Sequence, residues 1–432
     1  MMNRRAMTAA TLCPLAALIL AAGTVAAART PERTARAALK AAPVWDGHND
    51  VPIQLRGRYL NVIGAFDFHD THETGGDTGR AEVPTRPMHT DLARLKQGRV
   101  GAQFWSVYVA AALPEPEAVQ ATIEQIDVAR RLIARYPNDM ALALTAADVE
   151  RAMKRGRVAS LLGMEGGHSI GSSLAVLRQM HALGVRYMTL THSKNTPWAD
   201  SATDAPAHDG LTDFGRQVVR EMNRLGMLVD LSHVSEQTML DALDAAKAPA
   251  IFSHSGARAI DHHPRNVPDR VLARMRENGG IVMVVAYPSF VSEERRQWVA
   301  SLEGETARAK ALNPGDPDTV KAMVLAWREA NPEPAVTIAQ LADHIDHVRR
   351  VAGIDHIGLG GDYDGMETGP QGMEDVSGYP RLFEELARRG YSRADLEKIA
   401  SRNMMRVMKA AEAYAAAHRG DPPIETPVKA EE

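Results

Sequence analysis

Cysteine is almost absent from this chain of 432 residues; Cys13 is the single one. It lies in an N-terminal stretch that reads as a targeting segment, so the rest of the protein has no disulfide and no thiolate metal ligand. Any metal must then be held by His, Asp and Glu. A surplus of basic charge is missing too. With 50 Lys and Arg against 54 Asp and Glu, the net charge is -4, which excludes the basic surface that nucleic acid requires. No long single-sign block and no internal repeat occurs. A Gly-rich phosphate loop is also lacking after the first strand-like run, where DGHND stands instead.

The N-terminus has the grammar of a signal peptide. Arg4 and Arg5 precede an apolar run from Leu12 to Ala22, and Ala26-Ala27-Ala28 offers small residues for cleavage before Arg29. The run is too short and too Ala-rich for a membrane span; an uncleaved anchor is the competing reading. Residues 1–28 are thus expected to be removed on export, to the periplasm or beyond, with the choice between Sec and twin-arginine routes left open. Leu12 is a poor residue to precede a lipidated cysteine. Residues 29–416 are expected to form one domain, and residues 417–432, polar and Pro-rich, a flexible tail.

Apolar residues make up 45% and charged residues 24%, the balance of a soluble protein with a sizeable core. Short apolar runs alternate with helical patterns. The strand candidates are PVWDGHND, VGAQFWSVYV, RVASLLGME, VRYMTLTH, MLVDLSH, PAIFSH, GIVMVVAY and HIGLGGDYD. Helix-like stretches separate them, and three close on Gly184, Gly226 and Gly279. Eight strands alternating with helices predict an α/β fold, a (β/α)8 TIM-type barrel. An open doubly wound sheet is the alternative. The helical stretch from Ser301 to Arg350 falls between the seventh and eighth strands and reads as an insertion on the barrel.

Nearly every strand candidate ends in a residue able to ligate metal or move a proton. These are His48 and Asp50, then Glu165, His192, His233, His254, Tyr287 and Asp362. The second strand, Gln103 to Val109, has no obvious candidate. In a closed parallel barrel these ends converge on one face, where such enzymes keep their chemistry. Taken alone, an HxD pair is more often a turn, and a lone histidine ending MLVDLS or IFS is more often hydrogen-bonded core. Glu165 is harder to dismiss, because a carboxylate closing an apolar run needs a charge partner or a metal. His48, His233 and His254 with Asp50 and Glu165 form a donor set that suits a zinc pair better than a single zinc.

The segments WDGHND, GMEGGHSIG, LTHSKNTPWAD, LVDLSHVS, FSHSGARAI, HPRNVPD and GLGGDYDG resemble the successive motifs of the membrane (renal-type) dipeptidases, of amidohydrolase-like fold. The resemblance runs from about Pro43 to Ala410. It implies a binuclear zinc site, with Glu165 bridging, His48 and Asp50 on one metal, and His233 and His254 on the other. It further implies that His192 and Arg265 bind substrate and that Asp362 handles protons. Two features depart from the family pattern. Lys194 stands where relatives often carry a small residue or cysteine, which puts the pocket shape near His192 in question. The lack of cysteine removes the intersubunit disulfide of vertebrate relatives, so any homodimer must form without one.

Under this resemblance the substrate is a dipeptide. A zinc-activated water attacks the scissile carbonyl, His192 donates to the developing oxyanion, and Asp362 shuttles the proton to the leaving amine. Arg265 offers a planar fork to the free carboxylate. Tyr287 could reach the same carboxylate, or be a packed rim residue. Asp364 reads as a turn residue, and His69, His72 and His89 as structural; His168, His262 and His263 stay outside the metal shell. Rival functions are another metal amidohydrolase, such as an N-acyl-amino-acid deacylase, lactonase or phosphotriesterase, and a peptide-binding barrel without catalysis. The first group usually opens with HxH and often bridges with lysine, unlike HxD and Glu165 here.

Overall fold

A computed structural model describes Met2, residues 30–80 and residues 83–427. The expected signal peptide, Met2 apart, lies outside the described residues. Among the described residues, nine parallel strands form one sheet: β1 (Val44–Asn49), β2 (Val100–Ser106), β3 (Met140–Leu142), β4 (Val158–Glu165), β5 (Val185–Thr189), β6 (Leu228–Asp230), β7 (Ile251–Phe252), β8 (Ile281–Val285) and β9 (Ile357–Gly360). Eight of them close into a ring, because β1 pairs with both β2 and β9 while β2 passes over β3 to pair with β4. This is the predicted (β/α)8 barrel. The strand the sequence did not signal is β3, three residues long, which lies beside Val158–Ser160 of β4.

The period of two along each strand sorts its residues. Phe104, Leu161, Tyr187, Ile281 and Met283 fall in one buried cluster that fills the ring, with Phe104 and Tyr187 rings 4.8 Å apart. The same inward files continue towards the strand ends to Ser106, Glu165 and Asp230. Outward residues such as Leu162, Met188 and Val229 belong to a larger cluster shared with the surrounding helices.

Those helices form for legible reasons. Asp213–Leu225 starts where the Thr212 side chain accepts from the Gly215 amide, buries Val218, Val219 and Met222, and ends on Gly226 at φ 74°. Gly279, at φ 75°, ends Asp269–Asn278 in the same left-handed way.

One expectation needs correction. The insertion between the last two strands is a pair of helices, Glu293–Leu312 and Pro317–Ala330, packed on each other with only Ala309 buried. It begins before Ser301, and the helix Ile338–Val351 is not part of it: Leu341, Ile345 and Val348 are buried, and it packs on the barrel like the other outer helices. Near the C-terminus, one residue meets the barrel. Ile424 packs on the core, its amide donates to Glu221 at 3.2 Å, and its carbonyl accepts from Arg178 at 3.1 Å. Among the described residues, no helix is long and apolar enough to cross a membrane.

Candidate metal centre

The strands deliver the expected residues to one mouth of the barrel. His48 lies in β1 and Glu165 is the last residue of β4; the others follow their strands by one to three residues. Asp50 follows β1, His192 follows β5, His233 follows β6, His254 follows β7, Tyr287 follows β8 and Asp362 follows β9. Several therefore sit on sharp turns, and His233 and Asp362 hold left-handed backbones at φ 70° and 62°. Such conformations cost about 1–3 kcal/mol and persist where surrounding structure enforces them. The ring closes at the same point: the Asp362 amide donates to the His48 carbonyl at 3.2 Å, and the Asp50 amide to the Tyr363 carbonyl at 2.9 Å.

Glu165 stands between two donor sets. Its Oε2 lies 3.3 Å from His48 Nε2, which is itself 3.3 Å from Asp50 Oδ2. Its Oε1 lies 3.0 Å from His233 Nε2 and 3.5 Å from His254 Nε2. His192 and Asp362 stand at the edges, His192 Nε2 at 3.7 Å from Glu165 Oε1 and Asp362 in a group with His48 and Asp50 whose donor atoms lie within 4.8 Å of one another.

This arrangement fits metal. His48 Nε2 is buried with no hydrogen-bond partner. His233 Nε2 and His254 Nε2 face each other at 3.0 Å; ring nitrogens sharing a tetrahedral zinc stand roughly 3.3 Å apart. Burial, reinforced by Arg265 and neighbouring imidazoles, drives both histidines well below their usual pKa, so each offers a lone pair. Burial opposes the charge of Glu165, yet His48 and the close approach of His233 hold its carboxyl well below the usual range. Asp362 moves the other way, pushed well up by burial and by Asp50 and Glu165.

The centre opens into a cavity of about 420 Å³ lined by Tyr108, His192, Arg265, Tyr287, Phe290 and Asp362 among others. Arg265 is buried, and its contacts are weak: Nη1 to Ser255 Oγ at 3.4 Å and Nη2 to the His254 carbonyl at 3.3 Å. Its Nε has no partner, and no carboxylate among the described residues pairs with it. Burial lowers its pKa to about 10, so it stays charged at neutral pH. Phe290 lies under the guanidinium at 5.4 Å and stacks on Tyr287 at 4.5 Å. His263 Nδ1 accepts from the Arg265 amide at 3.1 Å, holding the loop rather than the metal. Burial lowers the His192 pKa to about 4, and its ring stacks on His233 at 4.2 Å.

The other polar residues fall away from the centre. Lys194 faces Asp204 at 3.6 Å and does not line the cavity. The His89 amide donates to Asp364 Oδ1 at 2.8 Å and the Asp364 amide to His89 Nδ1 at 3.2 Å, His168 faces the Val109 carbonyl at 3.2 Å, and His262 faces Glu293 at 3.6 Å. His69 and His72 cap turns with Asp67 and Asp70.

Sequence reasoning missed four supporting side chains. Ser106, ending the strand with no obvious candidate, donates to Glu165 Oε2 at 2.9 Å. Tyr187 meets His48 Nδ1 at 2.8 Å, and a Cβ at Gly163 would lie 2.0 Å from its ring. Asp230 and Ser253 stand behind His254. The argument that singled out Glu165, a carboxylate in an apolar run, applies equally to Asp230 in MLVDLS.

A parallel (β/α)8 barrel with His and carboxylate donors gathered at the strand ends belongs to the metal-dependent hydrolases of amidohydrolase-like fold. Comparison with known proteins narrows the class: residues 32–421 match the family model for membrane dipeptidase, peptidase family M19, and the chain belongs to that family of metallo-dipeptidases. A protein named as an uncharacterized dipeptidase from Schizosaccharomyces pombe is 41% identical over 397 residues, 89% of this chain and 84% of that one. The dipeptidase tcpJ of Claviceps purpurea is 41% identical over 390 residues, 88% and 79% of the two chains. Among solved structures, the probable dipeptidase PvdM of Pseudomonas aeruginosa shares the fold, with TM-score 0.73 at 24% identity over 89% of this chain and 99% of that one. A metallo peptidase from Rhodobacter sphaeroides, solved with a phosphinate mimic of the dipeptide L-Ala-D-Ala, has TM-score 0.67 at 26% identity, covering 86% and 99%.

Proposed function

We propose that this metallo-dipeptidase hydrolyses dipeptides with a free C-terminal carboxylate on a binuclear zinc site held by His48, Asp50, Glu165, His233 and His254. The observation that carries the reading is the division of Glu165, with Oε2 turned to His48 and Oε1 turned to His233 and His254. When bound, the zinc pair supplies an ionised water near neutral pH and polarises the scissile carbonyl.

The chain's own residues do the rest. Arg265 takes the terminal carboxylate, because its buried guanidinium has no anionic partner of its own among the described residues. Tyr287 and Phe290 wall that end of the cavity. His192, held neutral, donates a ring proton to the carbonyl oxygen as it gains charge. Asp362 accepts the proton of the attacking water and returns it to the leaving amine. The Rhodobacter neighbour's dipeptide mimic supports a ligand of this size. The basic-then-apolar N-terminus supports export with cleavage before Arg29.

A panel of dipeptides, free or C-terminally amidated, assayed before and after chelation and zinc restoration, tests the reading. Cleavage of the free dipeptides alone, lost on chelation and restored by zinc, is expected. Equal cleavage of the amidated set, or preference for N-acyl amino acids or lactones, overturns it.

A further inference from the structure

Asp230 ends β6, fully buried behind the metal centre rather than in it. Its Oδ1 accepts the amides of Ser232 at 3.1 Å and Ser253 at 2.9 Å. Its Oδ2 accepts the hydroxyls of Thr189 and Ser253, each at 2.6 Å. A carboxylate only accepts, so the direction of all four bonds is fixed. The single hydroxyl proton of Ser253 therefore points to Asp230. Ser253 Oγ also lies 2.8 Å from His254 Nδ1, and with its proton committed it can only accept there. His254 must then carry its proton on Nδ1. Its Nε2 is left as a bare lone pair facing His233 Nε2 at 3.0 Å and Glu165 Oε1 at 3.5 Å.

We infer that Asp230 is a positioning residue for the metal centre, acting through Ser253 to lock His254 in the tautomer that can ligate. The inference rests on the proposed metal role of His254. Strand geometry explains why the relay spans this pair of strands: Asp230 pairs with Ile251, so its inward side chain meets the Ser253 amide one residue past β7. Ser232 completes the cradle by accepting the His254 amide at 3.1 Å. The donor set of one metal position is thus oriented by an acceptor chain that starts on the neighbouring strand.

Two substitutions separate tautomer control from simple packing. Ser253→Ala removes the link while leaving both backbone contacts of Asp230. Asp230→Asn keeps the shape but places an amide donor towards Ser253, whose hydroxyl then turns its proton to His254 Nδ1 and drives the ring proton to Nε2. An isosteric change that inverts a histidine tautomer in this way can abolish function without moving the fold.

The test titrates zinc into stripped wild-type, Ser253→Ala, Asp230→Asn and His254→Ala proteins against a competing chelating indicator, with the melting temperature of each stripped protein alongside. Ser253→Ala is expected to weaken one zinc position about 10–100-fold, and Asp230→Asn at least as much, with stripped proteins melting near wild type. Wild-type zinc affinity in both relay variants, with loss in His254→Ala, overturns the relay alone. Affinity that falls only as far as the stripped protein is destabilised also overturns it, since packing then accounts for the effect. Wild-type affinity in His254→Ala instead removes the metal assignment beneath it.

Discussion

His233 Nε2 lies 3.0 Å from His254 Nε2, and both turn towards the one carboxylate oxygen Glu165 Oε1. Neutral imidazoles this close, around an anion, are a donor set waiting for a cation. Glu165 uses its other oxygen on His48, so it is common to both sets. Protein prepared without chelator should carry about two zinc ions per chain by elemental analysis. Glu165→Gln should lose metal from both positions, whereas Asp50→Asn should mainly weaken one. A wild-type content of one metal or less under zinc-replete conditions removes the binuclear reading.

Arg265→Ala should keep its zinc, because no donor atom is lost. In the wild type, a longer or amidated peptide leaves the guanidinium facing a neutral group. Leaving a buried charge without its partner costs roughly 3–5 kcal/mol, enough for a hundredfold or more in discrimination. The variant should therefore show a much higher KM for free dipeptides. Against an amidated dipeptide, variant and wild type should be similarly poor. Unchanged kinetics on free dipeptides would show that the carboxylate is held elsewhere.

Asp362→Asn should behave in the opposite way. It removes a proton acceptor and leaves the shape of the cavity, so kcat should fall by about 10²–10⁴-fold while KM changes little. Steady-state kinetics with one free dipeptide decides this. A rise in KM at constant kcat would move Asp362 from proton transfer to binding.

Much of the candidate site is legible in the sequence because parallel strands buried on both faces read as apolar runs, and the candidate donors end those runs or follow directly on them. That rule places His48, Glu165, His233 and His254 on one face, although each histidine taken alone reads as a turn or core residue. Ser106, Tyr187 and Ser253 are not legible, because a hydroxyl carries no sequence signal until its neighbour in space is known. Asp230 is hidden differently, since MLVDLSH draws attention to its histidine. The fold shows the same division. Met140–Leu142 is too short to stand out, and Ile338–Val351 has the same helical period as the insertion before it. Only the burial of Leu341, Ile345 and Val348 assigns that helix to the barrel.

Asp261 links stability to pH in the loop that carries Arg265. It is buried; Oδ1 accepts from the His263 amide at 2.8 Å, while Oδ2 has no partner among the described residues. Burial raises its pKa to about 6, Glu293 adds to the rise, and Arg296 and His262 oppose it. A folded pKa above the unfolded value near 3.9 means the fold favours the protonated form. That contribution is present in full below about pH 4 and is lost as pH rises through about 6. Asp261→Asn keeps the acceptor for the His263 amide and removes the charge. Relative to the variant, wild type should lose about 1–2 kcal/mol between roughly pH 5 and pH 8, measured by urea unfolding at fixed zinc. Parallel stability curves for the two proteins would show that Asp261 stays ionised at no cost, compensated by Arg296, and that the Arg265 loop has no such dependence on pH.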